Sequence, residues 1–225
     1  DIAACAAEQG AETIIAFGTG NVPPEADTYA LRVGGFWGRK WHGLIRKFFD
    51  AEGYGSIHAT KQLIDFLRFY KPDVIHLHNL HGCYLNHRRL FAYLRNAQIP
   101  VIWTLHDCWA FTGHCAYYDY VACSRWQTGC SHCPQRTGYP VRAWVDGSAR
   151  NYRHRRKLFT SLKRLTLVTP CAWLQEQVSF SFLKEVPTRV IYNGVNRNLF
   201  QPTVGDLRRK DGIGAKYMVL AVASE

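Results

Sequence analysis

Polar side chains that could take part in acid–base chemistry follow several apolar segments of the sequence, at the point where each segment ends. These candidates are His78, Asn79, His81, His106, Asp107 and Asn193, and Gly194, which has no side chain, is included because it follows Asn193. His106 directly follows the apolar segment 101–105 and precedes the carboxylate of Asp107. Because an imidazole titrates near neutral pH, it can transfer a proton or stabilise developing charge. We predict a catalytic role for His106 and substrate binding by the other six.

Apolar runs alternate with segments of helical periodicity along most of the chain. The pattern predicts strands over 13–17, 73–78, 101–105, 165–169 and 189–192, and helices over 60–70, 84–96, 149–162 and 172–182. Strands and helices in this order are typical of parallel strands joined by right-handed crossovers. The predicted fold class is therefore α/β, with a Rossmann-like, doubly wound parallel sheet.

The predicted sheet places the candidate residues where an open parallel sheet binds ligands, just beyond the carboxyl ends of its strands. A different interpretation applies to Asn79 and Thr169, which follow two of the strands. Both are residue types that can cap a following helix instead of contacting a ligand.

Two segments show no regular period. Residues 21–55 are rich in glycine and are predicted to be irregular, and residues 107–148 form a cysteine-rich insertion after a strand. Residues 1–10 are typical of the end of a helix, and residues 217–223 of a strand. Because a strand needs partners, we expect the chain to be a fragment of a longer protein.

Four of the eight cysteines cluster within the insertion, at Cys115, Cys123, Cys130 and Cys133. Four thiolates suit a closed tetrahedral zinc site, and the Cys130-x2-Cys133 spacing is typical of a chelating pair. The sequence therefore predicts a structural zinc ion. Two disulfides or buried free thiols are the alternatives, and His114 and His132 are spare candidate ligands.

The formal net charge of +11 favours anionic partners. Many of the cations lie near the predicted helix 149–162, where Leu158, Phe159 and Leu162 recur at helical spacing. We expect its apolar side to pack on the sheet and its basic face to be available to anionic lipid headgroups. Since no apolar run approaches the roughly 20 residues that span a bilayer, the expected location is cytoplasmic and peripheral at the inner membrane face.

Three segments resemble the N-terminal half of the retaining glycosyltransferases of family 4, which have the GT-B fold. They are Val-Ile-His-Leu-His-Asn at 74–79, Pro-Val-Ile-Trp-Thr-Leu-His-Asp-Cys-Trp at 100–109 and Val-Ile-Tyr-Asn-Gly-Val at 190–195. The resemblance covers nearly the whole chain. It is closest to bacterial members that build cell-surface polysaccharides, which carry a similar cysteine-rich insertion.

The resemblance implies an acceptor-side domain at 1–204 that lacks its first strand, followed at 205–225 by a linker and the first strand of a donor-binding domain. It implies a nucleotide-sugar donor, a glycan or lipid-linked acceptor, retention of anomeric configuration and no catalytic metal. His106 matches the family histidine near the reacting sugar carbon and the acceptor hydroxyl. Asn193 and Gly194 match a family motif whose aspartate is replaced here by Asn196. The fragment alone is expected to be inactive.

The positive charge, the cysteine cluster and aromatic residues such as Trp109 and Trp126 also fit a zinc-stabilised module that binds nucleic acid. The alternating α/β pattern speaks against that alternative, so nucleic acid is not an expected partner. A purely structural or interaction domain is a third alternative, although it leaves the polar residues at successive strand ends unexplained.

Overall fold

The computed structural model describes residues 2–20, 30–135, 137–142, 144–195, 200–201, 207–210, 212–214 and 217. The chain divides into two compact units, Asp1–Tyr192 and Asn193–Glu225. The strand predicted over 217–223 lies outside the described residues except for Tyr217. The division into an acceptor-side domain at 1–204 and the start of a donor domain at 205–225 stays a prediction.

Helices and parallel strands alternate through the first unit. Its α-helices are α1 (Ile2–Glu8), α2 (Phe36–Phe49), α3 (Ile57–Tyr70), α4 (His87–Ala97), α5 (Ser148–Phe159) and α6 (Ala172–Ser179). Its strands are β1 (Ile15–Phe17), β2 (Ala30–Arg32), β3 (Ile75–Leu77), β4 (Val101–Thr104), β5 (Leu165–Thr169) and β6 (Thr188–Val190). The second unit contains a short helix, α7 (Leu207–Lys210).

All of the strand pairs are parallel. β1 pairs with β2, and a four-stranded sheet has the order β3-β4-β5-β6. Successive strands of the larger sheet are neighbours because each crossover returns the chain to the adjacent position, as a helix between parallel strands requires. The predicted α/β, Rossmann-like class is confirmed.

Aromatic side chains fill the space between the larger sheet and its helices. Trp103 of β4, Phe91 of α4 and Phe159 of α5 are buried, and their ring centroids lie 4.7 to 6.0 Å apart. Leu90 and Leu94, one turn apart on α4, belong to the same cluster. The helical spacing of these side chains is what holds α4 and α5 against the sheet.

The prediction of irregular structure over 21–55 is wrong for α2, a helix of 14 residues. Gly38 and Gly43 lie inside it, and each glycine costs about 1 kcal/mol of helix propensity, which obscures the helical signal. The strand predicted over 73–78 is shorter in the structure, where β3 is Ile75–Leu77. Leu77 is buried, but Val74 and His76 are exposed.

The insertion is largely irregular, as predicted. It contains three short 3₁₀ helices, Trp109–Phe111, Asp119–Val121 and Arg125–Gln127. Three of its aromatic and small apolar residues, Phe111, Ala116 and Trp126, lie in the core. The insertion is therefore a packed part of the first unit.

Helix α5 does not have the wholly solvated basic face that was predicted. Arg155 is buried, donates from Nη1 to the carbonyls of Trp109 (2.8 Å) and Thr112 (2.9 Å), and stacks 3.7 Å from the Trp109 ring centroid. Burial lowers the pKa of Arg155 to about 10. Arg156 and Lys157 remain exposed. Within the described ranges, no helix is long and apolar enough to cross a bilayer.

Candidate active site

The carboxyl ends of β3 and β4 border a small cleft that is partly open to solvent. Leu77 pairs with Trp103 in the parallel register, so the segments that follow the two strands leave the sheet side by side. Five of the seven predicted site residues line the cleft: His78, Asn79, His81, His106 and Asp107. The inference that ligand-binding residues gather at this edge is therefore consistent with the geometry.

His78 and His106 form a direct contact across the two strands. Nδ1 of His78 lies 3.0 Å from Nε2 of His106, and the rings are stacked. The His76 ring lies 4.3 Å from that of His78. Burial, together with repulsion from His76 and His106, lowers the pKa of His78 to about 4, so His78 is neutral at pH 7. The two rings share one hydrogen bond, whose direction depends on the tautomers.

The backbone of His78 is fixed from the core. Nε1 of Trp103 donates to the carbonyl oxygen of His78 at 2.9 Å, and Trp103 is buried. His76 lies on the exposed side of β3, with its Nε2 2.8 Å from Oγ1 of Thr104. Sequence reasoning missed His76. Strand alternation could have indicated it, since Leu77 is the buried neighbour.

His81 and Asp107 form a second pair beside the first. Nε2 of His81 lies 3.0 Å from Oδ2 of Asp107, and Nδ1 lies 2.9 Å from the Tyr139 hydroxyl. The other oxygen of Asp107, Oδ1, accepts from the backbone N–H of Trp109 at 2.8 Å. Both ring nitrogens of His81 and both oxygens of Asp107 therefore have protein partners. Tyr139 was not predicted, and no periodic signal in the irregular insertion would have revealed it.

Glu52 holds the turn that follows His81. Its Oε1 accepts from the backbone N–H groups of Gly82 (3.1 Å) and Cys83 (3.0 Å), and its Oε2 accepts from the Cys83 thiol at 3.4 Å. Arg46 lies 3.7 Å from the same carboxylate. Sequence reasoning missed Glu52 because it lies about 30 residues before the turn that it binds.

His42, Glu52 and Cys83 are the one group among the described residues whose three ligand atoms lie within 4.8 Å of one another. They do not fit a metal ion. His42 Nε2 accepts from the N–H groups of Gly53 and Gly55, and its Nδ1 contacts Ser56. Both ring nitrogens of His42 are therefore already engaged, which leaves no lone pair for a metal ion.

The other residues singled out from the sequence are not members of these pairs. Asn79 is exposed and does not cap α4, whose N-cap is Asn86. Thr169 is buried, and the N-cap of α6 is Cys171. Asn193 and Gly194 belong to the second unit and are exposed. The capping alternative is therefore wrong for Asn79 and Thr169.

The four cysteines of the insertion are free thiols. Cys115 and Cys133 share a hydrogen bond that raises the pKa of Cys115 and lowers that of Cys133. Sγ of Cys130 accepts from the backbone N–H of Gly113 at 3.2 Å. Cys123 is close enough to Cys130 to raise its pKa slightly, although burial is the larger cause. The four sulfurs thus belong to one neighbourhood without forming a compact coordination shell.

His114, next to Cys115, is buried with an unusual bonding pattern. Its Nδ1 lies 2.7 Å from Oδ1 of Asp50, while its Nε2 has no hydrogen-bond partner. Oδ2 of Asp50 accepts from the backbone N–H of Gly147 at 2.9 Å, so the carboxylate is held in place. A carboxylate that receives one ring N–H leaves the opposite nitrogen with a free lone pair, as in many metal-binding histidines.

Comparison with known proteins supplies a context for this site. The sequence model of Glycosyltransferase Family 4 matches residues 1–199. The chain is also 27% identical, over 157 residues, to WcaC of Escherichia coli (strain K12), a protein named as a glycosyl transferase of colanic acid biosynthesis. The matched region covers 67% of this chain and 37% of that relative. No solved structure matches the chain.

Proposed function

Because the chain belongs to glycosyltransferase family 4, we propose that it supplies the acceptor side of an enzyme that transfers a sugar from a nucleotide-sugar donor in polysaccharide biosynthesis. The acceptor is a glycan or a lipid-linked sugar, and the anomeric configuration is retained. The naming of WcaC as a colanic acid glycosyl transferase supports the pathway class. The matched residues span 37% of that relative's own length, so the complete transfer reaction is proposed for the protein that contains this chain.

The observation that carries the proposal is the contact between His78 and His106 at the carboxyl edge of the sheet. Nε2 of His106 faces His78, and among the described residues no group bonds to Nδ1 of His106. His106 is exposed to the cleft. Its Nδ1 is therefore available to the acceptor hydroxyl, either as a hydrogen-bond acceptor or, in the other tautomer, as a donor.

His81 and Asp107 have a different role in this proposal. Since their polar atoms are already bonded to each other, to Tyr139 and to the backbone of Trp109, they position the segment that carries His106. Asn79, Asn193 and Gly194 remain proposed substrate contacts. We also propose, as the family resemblance implies, that the transfer needs no catalytic metal.

A structural zinc ion in the insertion is part of the same proposal. Cys115, Cys123, Cys130 and Cys133 remain its proposed ligands, and the unpartnered Nε2 of His114 makes that residue a stronger spare ligand than His132. Zinc would be held by the four thiolates, which suit a closed tetrahedral site. It would fix a long segment that has little regular structure of its own.

The test is a transfer assay on the full-length gene product with a panel of nucleotide sugars and a lipid-extract acceptor pool. His106→Ala should lower turnover of the consumed donor by about 10²- to 10⁴-fold, the usual contribution of a positioned acid or base. His58→Ala, an exposed histidine on α3, is the matched control and should retain turnover. Consumption of no donor, or equal loss in both variants, contradicts the proposal.

A further inference from the structure

Helix α2 exposes a stripe of large apolar side chains. Trp37 is 81% exposed, Trp41 is 66% exposed and Leu44 is 46% exposed. With Phe48, which is partly buried, these residues recur at intervals of three or four positions and therefore lie on one side of the helix. Two exposed tryptophans one helical turn apart are unusual on a surface that no partner covers.

The opposite side of α2, which packs on the protein, is polar. His42 is fully buried and bonds to Ser56 and to the backbone of Gly53 and Gly55. Arg39 donates to the carbonyl of Gly18, and Arg46 pairs with Glu52. A surface helix normally buries its apolar stripe and exposes its charges. Helix α2 has the reverse arrangement, with its polar side toward the protein and its apolar stripe toward solvent. The stripe therefore needs a partner that is not among the described residues.

The insertion extends the apolar surface beyond the helix. The ring of Trp144 lies 4.4 Å from that of Phe48, and the backbone N–H of Val145 donates to the carbonyl of Phe48 at 3.1 Å. Trp144 is 72% exposed and Val145 is also exposed. The stripe and these two residues form one surface, defined here as the α2 surface.

The charge of α2 identifies the kind of partner. The helix contains four cations, Arg39, Lys40, Arg46 and Lys47, and no acid. Lys40 and Lys47 are exposed beside the stripe. Tryptophan and lysine together favour the boundary between lipid headgroups and acyl chains, where the indole ring is half buried and the ammonium group meets lipid phosphate. A protein partner would have to supply both an acidic rim and an apolar groove.

We propose that the α2 surface docks on an anionic lipid bilayer. This surface replaces the basic face of α5 as the membrane contact. On α5, Arg155 is buried beneath Trp109, and the exposed Arg156 and Lys157 have no exposed apolar stripe beside them. The inference does not depend on catalysis, although a lipid-linked acceptor would be reached from such a bilayer.

The experiment measures binding of the full-length protein to vesicles of phosphatidylglycerol and phosphatidylcholine, and to vesicles of phosphatidylcholine alone, by co-sedimentation. Two variants test the surface: Lys40→Glu with Lys47→Glu, and Trp37→Ser with Trp41→Ser. Arg156→Glu with Lys157→Glu is the charge-matched control on α5, and Phe69→Ser with Tyr120→Ser is the control for loss of exposed aromatic rings. All eight side chains are exposed, so the variants should fold.

We expect the affinity for the anionic vesicles to fall by at least about tenfold in both α2 variants. Each lysine near an anionic surface raises the affinity of a protein for that surface by about fivefold. Both controls should bind within about twofold of the wild type, within the range expected for surface substitutions. Tryptophan fluorescence should be quenched by brominated lipid in the wild type and less in the Trp37→Ser, Trp41→Ser variant.

Three results would overturn the proposal. The first is absence of wild-type binding to the anionic vesicles. The second is equal loss in the α5 control, which would return the contact to that helix. The third is a wild-type dimer in solution that the α2 variants dissociate, because the occupant of the surface would then be a second copy. Failure of the transfer assay leaves each of these readouts unchanged.

Discussion

Nδ1 of His78 lies 3.0 Å from Nε2 of His106, across 28 residues of sequence. The two rings meet because β3 and β4 are adjacent and in register. Only one hydrogen fits between the two nitrogens, so the tautomer of one ring determines which nitrogen of the other faces it as donor or acceptor.

The first prediction concerns the titration of His78. Burial is the main cause that lowers its pKa to about 4, and the charges of His76 and His106 add to it. In an NMR titration of the imidazole signals, His78 should remain neutral at pH 5. His106→Ala should move its midpoint upward because one repulsive neighbour is removed. His58→Ala should leave the midpoint in place, and a wild-type midpoint above 6 would contradict the described contact.

The second prediction concerns stability below neutral pH. His87 is fully buried, its Nε2 lies 3.0 Å from the Leu80 carbonyl, and burial lowers its pKa to about 4. The unfolded chain binds a proton at His87 below pH 6.5, whereas the folded chain does not until about pH 4. Stability is therefore complete above pH 6.5 and is lost as the pH falls toward 4, by up to about 3 kcal/mol from this group.

Urea denaturation at pH 7 and pH 4.5 measures this loss. His87→Gln keeps an amide donor for Leu80 but cannot titrate, so its stability should depend less on pH. At pH 7, where His87 of the wild type is neutral, the difference in unfolding free energy between the two proteins gives the cost of the substitution that does not depend on pH. A slope with pH that is the same in both proteins would show that other groups, such as His42, dominate the acid response.

The third prediction concerns Glu52, which holds the turn after His81. Glu52→Ala removes the acceptor for two backbone N–H groups and leaves Arg46 unpaired, so unfolding should become easier by about 3 kcal/mol or more. In the transfer assay at a temperature where the variant is folded, kcat should fall more than the donor KM changes. Asp65→Ala removes an exposed acid from α3 and is the control, with an effect within about 0.5 kcal/mol.

The fourth prediction concerns metal content. Protein purified under reducing conditions should contain one zinc ion per chain by elemental analysis. Cys130→Ser and Cys133→Ser should lose it and melt at a lower temperature, while Cys5→Ser, an exposed cysteine on α1, should keep it. If His114→Asn also loses zinc, His114 is a ligand in place of one of the cysteines. If the wild type contains no zinc and is still fully stable, the prediction is wrong, and the insertion is held by its aromatic core.

Most of the elements around the larger sheet follow from local pattern. Residues 101–105 and 165–169 are rich in apolar and β-branched side chains, and the structure buries most of β4 and β5. His78, His106 and Asp107 could be placed together because parallel strands end at one edge. That reasoning needs strand order only, which short crossovers determine.

The rest depends on contacts between distant segments. Glu52 and Tyr139 reach His81 and its turn from about 30 and 58 positions away, and nothing in their local sequence indicates this. Helix α2 was missed because its period serves an outward surface and is interrupted by two glycines. Arg155 was placed in solvent because a charge is expected there, whereas the carbonyls of Trp109 and Thr112 compensate for its burial.

Asp50, at the end of α2, bonds to segments that lie far away in the sequence and are therefore synthesised much later. Its side chain bonds to His114 and to the N–H of Gly147, and its carbonyl accepts from Asn151, 101 residues later. Contacts over such separations form late because a long loop must close first. During synthesis, the end of α2 therefore lacks these hydrogen bonds until the start of α5 has been synthesised. In a nascent chain arrested before residue 151, α2 would expose its tryptophans before the contact between Asp50 and Asn151 can form.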